Sequence, residues 1–369
     1  MATFYVRKSG NDANAGTSAG AAKLTITAAY NASSAGDTIY VGAGVYRETA
    51  SLTISKANLS IIGDYSGVQT GDAGAVRWHN SAADVTWIGS AAMTIAATGV
   101  TLRFLAVSCI GASYAISLSG TANPSNLTVQ DCVFDGAGSC ILQSYSSVLA
   151  TGVVIERCLF TGPFAVGVWY FQADSTDRTP GWTVRNCVFV GGSASGIAVR
   201  SDHGGGITMT NCTVIGPVPL SVNGTGTMTT PCSFTRCIVC SGAWWAYSQT
   251  AGFLTEDYNV FQINSGYSAR NGVSAGANSL TRVMLFDARA WFALVSGGAL
   301  VAPWDIGADW QMTNHAIGAA GYATDARGAT VLGANREVGA LEYNSALSAS
   351  GGSALGLPIV GSAIVRGAE

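Results

Sequence analysis

Charge is scarce in this chain. Of 369 residues, 18 are Lys or Arg and 21 are Asp or Glu, 11% together, against roughly 25% in an ordinary globular protein. A net charge of −3 over this length leaves no basic stripe, so a phosphate-neutralising nucleic-acid surface is excluded. There are only three histidines, and none is spaced with the cysteines as a zinc set requires. Calcium needs several oxygen ligands, and no two acids are adjacent between residues 126 and 250. Neither a metal nor a cofactor is therefore expected. No apolar run approaches the roughly 18 residues that cross a bilayer. The opening Met1-Ala-Thr-Phe-Tyr-Val6 also lacks the basic and apolar segments of a signal peptide.

Glycine and cysteine are what the chain has in quantity: 47 Gly and nine Cys. Five cysteines mark a repeat, with Cys132, Cys158, Cys187, Cys212 and Cys237 separated by 26, 29, 25 and 25 residues. Each has an apolar residue three before it (Val129, Ile155, Val184, Met209, Phe234) and another two after (Phe134, Phe160, Phe189, Val214, Val239). Leu105 holds the same slot one period earlier, with Leu102 and Val107 around it. A fixed period of this size marks a solenoid, in which a repeat buries its apolar face only against its neighbours. The runs alternate with period two, as in Leu127-Thr-Val129 and Cys132-Val-Phe134, so they read as strands. Asp131, Asn186 and Asn211 stand just before the Cys, where they tolerate the left-handed backbone of a tight bend. Each period is thus one coil of a parallel β-helix. Its ladder cysteines are expected reduced and stacked inside, with a bridge from Cys240 to Cys232 or Cys237 allowed by spacing.

The chain resembles the right-handed parallel β-helix proteins of the broad pectate-lyase-like class. The opening Phe4-Tyr-Val-Arg-Lys-Ser-Gly-Asn-Asp12, Gly36-Asp-Thr-Ile-Tyr-Val41 and Gly44-Val-Tyr-Arg-Glu48 is similar to that class's first coil. Asp257-Tyr-Asn-Val-Phe261, Asp309-Trp-Gln-Met312, Ala316-Ile-Gly-Ala-Ala-Gly321 and Val338-Gly-Ala-Leu-Glu-Tyr343 resemble its closing segments. The resemblance implies a short capping helix within residues 23–33. The expected organisation is a strand and cap over 1–37, coils over 38–262, further coils and a closing segment over 263–343, and a linker with an apolar tail over 344–369. Residues 65–89, with Trp78, His79 and Trp87, are expected to bulge as a lateral loop with His79 in solvent. Residues 262–281 read as a loop, and Leu280 to Val295 as including a short helix.

One cluster invites chemistry. Asp174 lies 16 residues after its ladder Cys, Asp202 15 and His203 16, so they are expected near one azimuth of neighbouring coils. With Asp177 they are the candidate catalytic residues, as a carboxylate pair for acid–base cleavage of a glycosidic bond. Trp169, Tyr170, Trp244 and Trp245 are candidate sugar-binding aromatics. The resemblance also implies denser signals for the family's enzymes: an acidic calcium cluster in the lyases, and adjacent Asp with Gly-His-Gly in the polygalacturonases. Ser201-Asp202-His203-Gly204 is only a fragment of the second.

The tail carries Leu355, Leu357, Ile359, Val360, Ile364 and Val365 in a Gly-rich setting without helical length. Alone in water it would be disordered, so it is expected to dock. Together these features point to a structural virion protein. It would be an oligomer, with a trimer favoured, attached to capsid or tail proteins and in contact with cell-surface polysaccharide. The expected location is the virion, with an extracellular site as the alternative. Two competing readings are a polysaccharide hydrolase or lyase of the spike-depolymerase kind and a non-catalytic carbohydrate-binding β-helix.

Overall fold

The computed structural model describes residues 1–283, apart from 49, 80–90, 110–113, 119–123, 137–139, 145–149, 163, 172–179, 192–195, 203–204, 217, 224–229, 242–245, 249–251, 264–269 and 278. Three stacks of short strands run its length. The first sheet has ten strands, from Thr3–Val6 to Leu254–Asp257. The second has ten, from Gly44–Arg47 to Leu280–Val283, and the third nine, from Leu52–Ile54 to Arg270–Asn271. From Thr38–Val41 to Arg270–Asn271 the chain visits first, second and third sheet in turn, and each strand pairs in parallel with its counterpart one coil away. This is the parallel β-helix expected, wound in the right-handed sense that parallel crossovers adopt.

Period-two alternation builds the coil. In the first sheet Leu102, Val129, Ile155, Val184, Met209 and Phe234 are Cα partners in sequence and face inward, all essentially without exposure. In the second sheet Phe134, Phe160 and Phe189 stack with centroids 5.2 and 4.5 Å apart, an arrangement that adds to their area burial.

A one-residue bend joins the first sheet to the second. Asp131, Arg157, Asn186, Asn211 and Arg236 have φ between 51° and 55°, and Phe104 and Tyr258 continue the series. The residue after each bend turns into the solenoid, which is why small thiols recur there. The backbone N–H of Cys158 donates to Cys187 Sγ (3.5 Å) and that of Cys212 to Cys237 Sγ (3.2 Å). The row then runs on through Asn259, whose Oδ1 accepts from Cys237 N, and Ser279, whose Oγ accepts from Asn259 N. Cys132, Cys158, Cys187, Cys212, Cys232 and Cys237 are buried free thiols, so neither bridge to Cys240 forms.

The cap is as expected: helix Ile26–Ala32, started by Thr25. Its leading N–H groups, Ile26 at 2.9 Å and Thr27 at 3.3 Å, donate to the buried Glu48 carboxylate. Lys56 ends it, donating to the carbonyls of Tyr30 and Ser33. The free edge of Thr3–Val6 is closed by Tyr5 N–H to Gly16 O and Lys23 N–H to Tyr5 O, so no ladder is left open to template aggregation there. Glu48→Ala strips donors at a buried helix start and should lower stability by about 2 kcal/mol, read from the urea midpoint at constant m.

Three expectations need correction. Residues 65–89 are not simply a lateral loop, because Val76–His79 is a second-sheet strand between Gly44–Arg47 and Ala106–Cys109. Trp78 lies wholly inside, since Val76 and Trp78 alternate as an inward pair, and His79, on the other face of the strand, is buried as well. Arg270–Asn271 adds a strand within the stretch that reads as loop. Finally, the segment that reads as helical opens with strand Leu280–Val283, laid on Val260–Ile263; residues 284–295 lie outside the described residues.

Candidate functional site

The third sheet widens in its middle. Val166–Phe171, Ile197–Asp202 and Val218–Asn223 are six residues long, where other strands of this sheet have two to five. The extra length creates one more rung at the strand ends, in which Phe171, Asp202 and Asn223 are Cα partners. Arg200 precedes Asp202 by two and so shares its face. Arg200 Nε stands 3.0 Å from both carboxylate oxygens, and Asn223 Nδ2 donates to Asp202 Oδ1 at 2.9 Å. Asp202 is thereby buried at the outer face of the sheet, while the Arg200 side chain keeps 31% exposure. The rung through Arg200 continues to Trp169 on one side and to Ser221 and Tyr247 on the other.

Of the candidates named from sequence, the structure thus joins Asp202 to Arg200 and Asn223 and places the backbones of Trp169 and Tyr170 on the neighbouring strand. Asp174, Asp177, His203, Trp244, Trp245 and the tail residues Leu355 to Val365 lie outside the described residues. The rung partner of Asp202 on the neighbouring strand is Phe171. Phe171 is 13 residues after Cys158 and Asp202 is 15 after Cys187. The segment from ladder Cys to third sheet therefore varies in length, and a constant offset misplaces residues beyond it.

The densest charge among the described residues lies elsewhere, on the bend between first and second sheets. Asp131 accepts from Arg103 Nε (2.9 Å) and from Arg157 Nε and Nη2 (2.7 and 3.0 Å). Glu156 pairs with Arg157 (2.8 Å) and Arg185 (3.0 Å) and accepts from Gln130. Burial, the largest single influence, pulls the Arg157 guanidinium pKa down, and the Asp131 hydrogen bond together with the charges of Asp131 and Glu156 outweighs it, leaving it raised. The signal was in the sequence: Asp131 and Arg157 stand one before their Cys, Glu156 and Arg185 two before. Both carboxylates are taken up by arginines, so this row clamps coils together. Among the described residues no three metal-ligating side chains cluster, and no helix is long and apolar enough to cross a membrane.

By sequence, neither a family model nor a curated protein matches the chain. By structure it is similar to pectate lyase Pel9A, with a TM-score of 0.50 at 12% identity over 93% of this chain and 97% of that one. The chain shares the pectate lyase fold. A rhamnogalacturonan lyase aligns with a TM-score of 0.49 at 11% identity, over 76% of this chain and 87% of its own. The catalytic domain of a GH87 α-1,3-glucanase aligns at 0.41 and 13%, over 68% and 57%. These likenesses lend the virion assignment no support. The Arg200–Asp202–Asn223 group is a built polar cluster on the third sheet among the described residues.

Proposed function

We propose that the chain acts on a polysaccharide laid across the third sheet and cleaves it. The observation that carries this reading is Asp202, a carboxylate clamped between Arg200 and Asn223 on the outer face of the three longest strands. Planar amide and guanidinium groups suit paired sugar hydroxyls and sugar acids. A carboxylate beside them takes or returns the proton on which glycosidic cleavage turns, by hydrolysis or by elimination. The shared fold with pectate lyase Pel9A supports the polysaccharide class.

The full chain should shorten at least one of polygalacturonate, rhamnogalacturonan and α-1,3-glucan, monitored by size-exclusion profile and reducing ends. Asp202→Asn keeps the shape and removes the charge, and should slow shortening at least about 100-fold, the lower range for a lost acid–base group. Failure to shorten any acidic or neutral glycan would end the cleavage reading. Full activity in Asp202→Asn would move the chemistry away from the third-sheet rung.

A further inference from the structure

Arg236 occupies the same place in its coil as Arg157 does in its own: one before the ladder Cys, at a left-handed φ of 55° against 51°. Their surroundings differ. Arg157 reaches back one coil to Asp131 and sideways to Glu156. At the corresponding positions Arg236 meets Asn211 and Thr235. The Asn211 amide is turned to Asn186 (Nδ2 to Oδ1, 2.6 Å), and the Thr235 hydroxyl is paired with that of Thr210 at 3.1 Å. Asp257, one coil on, accepts the backbone N–H of Tyr258. Arg236 makes no ion pair among the described residues, and its Nε is shielded from solvent without a hydrogen-bond partner. Its guanidinium lies 5.6 Å from the centroid of the Tyr258 ring.

Two costs coincide here. A non-glycine residue in the left-handed region is strained, and least so for Asn or Asp, the types used at three neighbouring bends, Asp131, Asn186 and Asn211. A shielded Nε donor without an acceptor, on a side chain that is otherwise partly exposed, adds a desolvation penalty. Arg157 offsets both with two carboxylates, whereas Arg236 offsets neither. A residue kept at a strained, unsatisfied position points to a ligand that satisfies it.

We infer that Arg236, backed by Tyr258 and bordered by Asn211 and Thr235, is a binding site for a carboxylate group, which takes the place that Asp131 holds beside Arg157. The planar fork of the guanidinium matches a carboxylate in two parallel hydrogen bonds. The site lies on the bend between first and second sheets and does not rest on the chemistry proposed for the third. The carboxylate comes either from a uronic-acid unit of a glycan or from a free small acid.

The test is the unfolding midpoint of the full chain in acetate, galacturonate and oligogalacturonate against chloride at equal ionic strength and pH. A ligand that binds only the folded state raises the midpoint with saturation. The expected result is a saturable rise for the natural chain that is absent in Arg236→Asn and in Asn211→Asp. Both variants should fold. The first should melt higher in chloride, because Asn suits the bend, and the second should supply internally the carboxylate that the site lacks. Half-saturation by oligogalacturonate at a tenth or less of the galacturonate concentration assigns the acid to a glycan, and equal values assign it to a free acid. No rise in the natural chain, or the same rise in both variants, overturns the site.

Discussion

Asp131→Asn should lower the stability of the folded chain by about 2–4 kcal/mol, and adding Arg157→Asn should restore most of it. Asp131 is 6% exposed and serves two arginines. The Arg103 side chain is 41% exposed, so its pair is largely screened and contributes little. Arg157 is only 14% exposed, so removing the Asp131 charge leaves a desolvated guanidinium with Glu156 alone. Breaking one side of a buried pair typically costs about 3–5 kcal/mol, and the surviving Glu156 contact reduces that. Asn keeps the left-handed bend, so backbone strain does not enter.

The double variant reproduces an arrangement the chain already contains, the stacked Asn186 and Asn211 with their 2.6 Å amide hydrogen bond. A cycle of single and double variants by urea unfolding reads the coupling directly. Additive losses, with the double variant worse than either single, would show that the clamp acts through something other than the pair.

These clamps and the ladder show how far the sequence is readable. The coil is legible because one Cys frame fixes an inward residue on either side of the bend, and the structure keeps Val129, Cys132 and Phe134 buried as that frame requires. Legibility ends where the thiol and its apolar frame are both lost: Leu105 keeps the frame, whereas Ala75 has Asp72 three before it and Arg77 two after. Ala75 stands before Val76–His79, in a coil without the thiol, and without that marker the strand reads as part of a loop. The strand Leu280–Val283 comes after Ser279, which continues the row by accepting from Asn259 rather than by carrying sulfur.

The candidate site is legible only as a residue. Asp202 stands out as an acid in a charge-poor chain, but its partners are set by register. Asn223 is 21 residues away, and Arg200 gives no sign in the sequence of being its ion-pair partner. Register across a parallel sheet depends on loop lengths that vary from coil to coil, so a count from the cysteines cannot supply it.

Raising the pH above the ordinary thiol range should unfold the chain unusually steeply. Burial, the largest cause, pushes the pKa values of Cys132, Cys158, Cys187 and Cys212 well above their usual position; the next thiol along the row adds to the rise of each, while the preceding one works against it for Cys158, Cys187 and Cys212. In the unfolded chain the same thiols titrate near about 8.5. The folded state therefore holds protons that the unfolded state has released, so stability is complete below pH about 8.5 and falls as pH rises toward the folded values. Four thiols at about 1.36 kcal/mol each give a loss of about 5 kcal/mol per pH unit once the unfolded thiols are ionised. Against a usual total of about 5–15 kcal/mol, unfolding is expected within roughly 1–3 units above that point. Tyr46, also raised by burial, adds its share only above its ordinary value near about 10, so the window between is governed by the thiols. Urea midpoints across this window measure the slope, and Cys187→Ala should reduce it by about a quarter whatever its effect on stability at neutral pH. A slope near zero between those values, or one unchanged in Cys187→Ala, would mean that the row opens to solvent and ionises without unfolding.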